Sequence, residues 1–460
     1  MGSVRFSPRT FLDAGLAAML AGILGLPLIG VRLLDQSGGE ALATRWPDLA
    51  AGIALTFIGR LALSLVDAGA DRLVVAAMAL LGAGAIFIPW PSQFLMVVAI
   101  GGAVVIALYA VRIRIGPRPV AAIGGIIKPA GTFLPWFLIL FALALPMLPF
   151  ANRGIIDAGI LILTYILLGW GLNIVTGLAG LLDLGYVAFL AIGAYTTAIL
   201  STRFGLTFWE CLPLAAIAAS SAGLVLGFPV LRLRGDYFAI VTLGFGEIIR
   251  IIANNWRSLT NGSQGITNLP RPTFFGLADF TASPAPGHTA FNALFGLAYS
   301  PIQRVVFLYY VVLALALAVN VFTLRIRRLP IGRAWEALRE DETAAAALGL
   351  DRRRIKLAAF AIGAAWGGVA GAVFDARQGF ITPESFGFLE SAVITAIVVL
   401  GGLGSQLGIV LATLVLIGLP ELFRGFADYR MLAFGAAMIA IMRFRPRGLI
   451  VTRRPTAVLK

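Results

Sequence analysis

Residues 325–356 read RIRRLPIGRAWEALREDETAAAALGLDRRRIK, and this charged insert decides how the rest of the chain is read. Residues 305–324 before it and 357–374 after it are apolar and carry no charge. Ionised groups in such number do not enter hydrocarbon, so the insert lies in water between two membrane-crossing segments. Arg and Lys outnumber Asp and Glu in it nine to five, which predicts the cytoplasmic side by the positive-inside rule.

Inside the insert, residues 332–349 predict one short amphipathic helix. Pro330 ends the preceding element, Glu336, Glu340, Asp341 and Glu342 keep the piece solvated, and Gly349 is a candidate C-cap. Trp335, Leu338 and Leu348 are the apolar residues such a helix offers to a partner. A solvated connection and a docking surface for a cytoplasmic protein both satisfy this pattern.

The 460 residues are 59% hydrophobic and 13% charged, with a mean hydropathy of +0.93. Soluble chains carry about 25% charged residues, so the composition is that of an α-helical integral membrane protein. The net charge of +14 sits mostly as Arg between apolar runs, which fits lipid headgroups and orientation, not nucleic acid. One cysteine, Cys211, and one histidine, His288, provide no intrachain disulfide, no Cys/His metal cluster and no basis for a histidine-dependent triad. The three lysines, Lys128, Lys356 and Lys460, all lie outside a Gly-Lys-Ser/Thr context, so no phosphate-binding loop is encoded. No catalytic, cofactor-binding or metal residues are assigned; a nucleotide that drives this protein binds another subunit.

In chain order, residues 1–128 predict an N-terminal membrane unit of about four spans: runs 11–34, 49–66 (interrupted by Arg60), 73–90 and 94–111. A basic linker follows, with Arg112, Arg114, Arg118 and Lys128. The first run is too long for a signal-peptide core, which predicts a retained span with a cytoplasmic N-terminus. Residues 129–450 form the main body, with runs at 132–150, 155–176, 177–200, 208–231, 237–253, 305–324, 357–374, 389–400, 409–422 and 431–442. Between them lie a long polar loop at 254–303, read as external, the insert, and a piece at 377–388. Residues 451–460 are a basic cytoplasmic tail. The count is roughly a dozen membrane helices, several of them short or broken.

Two glycine-rich breaks suggest a substrate path. Gly177, Gly180, Gly185 and Gly193 mark the first, and Gly401, Gly402 and Gly404 the second. Interrupted helices expose backbone dipoles to a cavity, while the same small residues also serve tight helix packing. Asp157, Asp183, Glu247, Asp375, Glu390 and Glu421 fall in or beside apolar runs. One of them would bind the ion of an ion-coupled carrier; Glu247 and Arg250, three apart, form a structural pair in the plainer reading. In the long loop Thr260, Asn261, Gly262 and Gly265 suggest a fixed turn that can serve as a contact surface.

Taken together, residues 183–200, 228–252, 332–349, 376–388 and 397–406 resemble the membrane permease of branched-chain amino-acid ABC importers, of the high-affinity leucine/isoleucine/valine type. The resemblance covers about residues 132–450. It implies a permease in a bacterial inner membrane, multi-pass, moving leucine, isoleucine or valine by alternating access. The implied partners are a homologous permease, two cytoplasmic ATPase subunits that bind ATP and Mg, a periplasmic amino-acid-binding protein, and membrane lipid. It further implies that Trp335, Glu336, Ala337, Leu338, Arg339, Glu340, Asp341, Glu342 and Gly349 belong to the ATPase-coupling segment, and that Thr260, Asn261, Gly262 and Gly265 face the binding protein. The family pattern Glu-Ala-Ala…Gly is spaced differently here, Glu336-Ala337 standing farther from Gly349.

Overall fold

A computed structural model describes residues 31–36, 39–44, 46–67 and, except for 150, 232, 234, 268, 270, 282–288 and 297, residues 134–422, with 14–16, 18, 19 and 435 besides. The runs at 73–90, 94–111 and, apart from Gly435, 431–442, with the linker, His288 and the tail, lie outside the described residues. The chain divides into two compact units, Met1–Leu134 and Pro135–Lys460.

In the first unit β1 (Val31–Gln36) and β2 (Gly39–Thr44) form an antiparallel hairpin, where the sequence reading ran the first apolar segment on to residue 34. Helix α1 (Trp46–Asp67) runs unbroken through Arg60.

The second unit holds the seven helices long and apolar enough to cross a membrane among the described residues. In order they are α3 (Arg153–Leu178), α4 (Val187–Phe204), α5 (Phe208–Val230), α6 (Asp236–Asn255), α7 (Ile302–Ile326), α10 (Arg352–Gln378) and α11, whose helix proper is Phe388–Gly401. Two shorter apolar helices, α2 (Leu134–Met147) and α12 (Gln406–Glu421), flank them. The insert supplies α8 (Pro330–Glu340) and α9 (Glu342–Ala347). Apart from the hairpin, a two-residue parallel pair, β3 (Ala278–Asp279) with β4 (Thr289–Ala290), and two isolated bridges, the regular secondary structure described is helical.

Helix α10 is the centre of the body, packed on α4, α5 and α3. Its small residues allow this. A Cβ on Gly368 would strike the Ala215 carbonyl of α5, and one on Gly371 the Leu190 carbonyl of α4, so the backbones meet where side chains would otherwise stand. Leu167, Tyr186, Phe189, Tyr309 and Phe360 fill the remaining core. The Thr207 and Glu210 side chains cap α5 reciprocally, Thr207 N–H donating to Glu210 Oε2 at 2.8 Å.

Helices α7 and α10 enter and leave the insert, so their joined ends define the insert side. On the opposite, distal side Arg377 of α10 pairs with Asp157 of α3 at 2.7 Å. The long connection 256–301 has structure there: Phe274, Phe280, Phe291, Phe295 and Phe307 cluster ring on ring, and Trp209 Nε1–H donates to the Thr273 carbonyl at 3.1 Å.

Candidate functional site: the insert and the helix ends beneath it

The expected single helix of the insert is two. Asp341 leaves helical geometry (φ −152°) and its carboxylate accepts from Thr343 N–H at 2.8 Å and Ala344 N–H at 3.0 Å, ending α8 and capping α9. Those two amide bonds hold the Asp341 carboxyl below the usual carboxylate range. At the far end Gly349, with φ +86°, follows α9 in left-handed geometry. Leu350 N–H returns to the Ala345 carbonyl at 3.2 Å and Gly349 N–H to Ala346 at 2.9 Å, a Schellman closure.

Helix α8 is held by its inner face. Trp335 is fully buried and its Nε1–H donates to the Ile355 carbonyl of α10 at 2.8 Å; Leu338 is buried beside it. Gly332 lies against the Ile326 carbonyl at the end of α7, where a Cβ would collide. Trp335 and Leu338 are therefore anchors inside this chain, a correction to their expected role as residues offered to a partner. A helix beside a polar boundary first satisfies its own apolar stripe, and here α7 and α10 supply the cover. What remains open is the outer side: Arg333, Ala337, Glu340, Asp341 and Gly349 are exposed, with Leu348 84% exposed.

Two arginines connect this platform to the membrane helices. Arg327 pairs with Glu336 at 3.0 Å and reaches the Gly404 carbonyl at 3.4 Å. Arg339 donates to the Gly177 carbonyl. Those carbonyls belong to the ends of α3 and α11. Both ends are irregular: α3 finishes in a π turn (Ile174–Leu178), and Gly402 and Gly404 have φ of 104° and 85° beyond α11. The two ends are also joined, because buried Asn173 Oδ1 accepts from Gly404 N–H at 2.8 Å. Glu342 at the start of α9 holds Lys356 of α10 at 2.9 Å. The insert thus grips the ends of α3, α10 and α11 through charge-assisted bonds and one buried indole, and packs against the end of α7.

The glycines expected along a substrate path sit in close packing. Gly177 abuts Asn173 and Gly404, Gly180 (φ +74°) lies under Arg339, and Gly185 touches the Thr242 carbonyl of α6. Gly193 touches Gly368, and Gly401 touches Gly408. Gly402 and Gly404 are buried. The structure assigns these seven to tight turns and helix contact rather than to open space, because polar backbone exposed by a break has found partners in neighbouring helices. The two breaks, separate in sequence, meet at one place beneath the insert.

The turn in the long connection is likewise pinned inward. Thr260, Gly262 and Gly265 are buried: Thr260 Oγ accepts from Gly262 N–H at 3.3 Å and donates to the Ala253 carbonyl, and Ile266 and Ile381 exchange backbone bonds at 2.9 Å. Asn261 (φ 63°) is exposed and its amide donates to the Gly265 carbonyl at 2.8 Å. Asp183 lies in the link from α3 to α4, buried, accepting from Gly185 N–H at 2.8 Å.

A feature that sequence order hid lies on the distal side. Arg153, Arg271, Arg304 and Arg377 line a cavity of about 410 Å³ in which Asp157, already paired with Arg377, is the acidic lining residue. The arginines come from α3, the long connection, α7 and α10, so no local motif announces them.

The comparisons agree with this architecture. The model of a family described as "Branched-chain amino acid transport system / permease component" matches residues 154–442, and a domain family of unknown function matches residues 9–109. The chain is 53% identical over 323 residues to the high-affinity branched-chain amino acid transport system permease protein LivM of Escherichia coli (strain K12), covering 70% of this chain and 76% of that one. It is 29% identical over 308 residues to the corresponding permease protein BraD of Pseudomonas aeruginosa, over 62% and 91% of the two chains. To LivH of Escherichia coli it is 26% identical over 298 residues, 62% and 91%. No solved structure matches the chain. With its family model spanning the chain from the start of α3 to beyond α12, this chain belongs to the branched-chain amino acid transport permease family.

Proposed function

We propose that this chain is the membrane permease subunit of an ATP-driven importer of branched-chain amino acids, working in a bacterial inner membrane beside a homologous permease. The insert side is cytoplasmic in this reading, as are the termini. The observation that carries it is the construction of the insert: an inner face bonded to the ends of α3, α10 and α11 and an outer face open to water. A surface loop without mechanical duty does not need such attachment. Of two cytoplasmic ATPase subunits carrying ATP and Mg, one docks on Arg333, Ala337, Glu340, Leu348 and Gly349, and its closure on the other moves α8.

Arg339 and Arg327 transmit that movement to the ends of α3 and α11, whose glycine geometry allows a hinge. The chain makes and breaks no covalent bond; it supplies two conformations whose balance is biased by docking at either end. A binding protein that delivers leucine, isoleucine or valine meets the distal side, where the arginine-lined cavity offers charge for acidic side chains of that partner. Reconstitution tests the reading. Leucine uptake into proteoliposomes that needs the ATPase subunits and ATP supports it, whereas uptake by this chain alone under a proton or sodium gradient refutes it.

A further inference from the structure

Helix α6 carries an ion pair where an apolar membrane helix has no use for one. Arg250 Nε–H donates to Glu247 Oε2 at 2.8 Å, and the two side chains are 38% and 31% exposed. Glu247 is eleven residues from Asp236 and eight from Asn255, which puts it ~16 Å and ~12 Å from the two ends of the helix at 1.5 Å per residue. Glu247 is therefore inside the span, and Arg250 stands about one turn nearer its distal end, ~8 Å from Asn255.

The arrangement of α6 gives it a direction. Phe238, Ala239, Thr242, Gly246 and Ala253 are the buried stripe against the body. At about 100° per residue, Val241, Ile248 and Ile252 fall on one exposed flank, which is all apolar. Glu247, Arg250 and Asn254 fall on the other beside Leu243, while Gly244 stands between the flanks with the exposed Ile240 and Ile251, with open space where its Cβ would be. An apolar flank suits lipid. A flank with two full charges does not, because intramembrane charges face a protein interior or a water-filled cavity. Within this chain the pair is joined through one atom of each group, Nε and Oε2.

We propose that the Glu247–Arg250 flank of α6, with Gly244 at its edge, faces the translocation path and that the ion pair receives the zwitterionic head of the amino acid, Glu247 taking the ammonium and Arg250 the carboxylate. This rests on the importer reading and deepens it. A zwitterion entering a path walled by apolar side chains loses its water at both charges. An opposed pair of charges held in register replaces both hydration shells without a change in net charge, and leaves the aliphatic side chain to the apolar walls. An amino acid that lacks either head charge leaves one member of the pair unanswered, so the site selects for the α-amino acid head and is indifferent to the length of the branch.

The test uses the full complex, with partner permease, ATPases and binding protein, in proteoliposomes supplied with leucine. Glu247→Gln and Arg250→Gln are compared with the charge swap E247R/R250E and with Gly244→Phe, which fills space that is empty in the fold. The expected result is that each variant assembles and keeps binding-protein-stimulated ATP hydrolysis, while leucine moved per ATP falls about tenfold or more, the size expected for a lost charge-assisted contact. A pair that is only structural gives the opposite: the swap, which keeps an i,i+3 ion pair, restores uptake per ATP to the wild-type value, and the inference is overturned. Gly244→Phe with unchanged uptake puts this flank in lipid, and Gly244→Phe that loses the partner permease puts it in the subunit interface; either outcome also overturns it. A wild-type complex without ATP-driven uptake refutes the functional reading itself, independently of the variants.

Discussion

Arg339→Ala is the substitution that bears most directly on how force leaves the insert. Its guanidinium donates to the Gly177 carbonyl, and its stem covers Gly180, both at the end of α3. Removing a charged donor from a part-buried carbonyl costs about 1.5–3 kcal/mol. If that bond joins α8 to α3 in one conformation and strains in the other, the same energy is lost from the coupling between ATP hydrolysis and rearrangement. At ~1.4 kcal/mol per decade this is roughly a 10- to 100-fold fall in leucine uptake per ATP. Trp335 and the Arg327–Glu336 pair still hold α8, so the ATPase subunits should co-purify in wild-type amount. The assay is the ratio of uptake to hydrolysis in proteoliposomes, with Arg353→Ala, exposed and outside the docking surface, as a control. Arg327→Ala, which frees the neighbouring end of α11, should be non-additive with Arg339→Ala because Asn173 ties Gly177's helix to Gly404. Loss of the ATPases from the Arg339→Ala complex, or an unchanged ratio, would refute the reasoning.

Trp335→Ala removes the largest fully buried side chain of the insert and should destabilise it by about 3–5 kcal/mol, seen as a lower yield of folded protein and rapid proteolysis at residues 330–350. Gly349→Ala should cost ~1–2 kcal/mol through its left-handed backbone alone, whereas Gly349→Trp, with nothing near its Cβ position, should also obstruct the outer face and abolish stimulated ATP hydrolysis while the binding protein still docks. The Asp341 cap predicts a pH effect. Its carboxyl is lowered in the fold, so its contribution is complete above the ordinary carboxylate value of about 3.9 and is lost as pH falls through the lowered one. Amide exchange of residues 342–347 should rise over that acid window in the wild type and show no such dependence in Asp341→Asn.

Much of the architecture was legible from residues alone, for a reason of scale. A run such as 305–324 has one stable environment whatever its neighbours, and the charged insert has another, so the helical membrane class, the insert and the main spans follow from hydropathy. Gly349 was legible as the cap after α9 because its chemistry is local, whereas the Thr207–Glu210 box and the Asp351 cap before α10 were passed over. The hairpin at residues 31–44 was missed because a short apolar stretch reads alike as helix or strand.

The sequence by itself determined that this is an α-helical membrane permease with a water-exposed charged insert, because burial of apolar length and exclusion of charge are properties of segments. It also presented Gly177 and Gly404 as two separate breaks and Trp335 as a residue free to meet a partner. Only the tertiary structure decided otherwise. It brought both breaks under Arg327 and Arg339, turned Trp335 inward onto Ile355, gathered four distant arginines around one distal cavity, and gave α6 a charged flank opposite an oily one. Each of these depends on which helix stands beside which, and the pairing of helices is set by the close fit of small residues such as Gly193 on Gly368, a quantity no single segment carries.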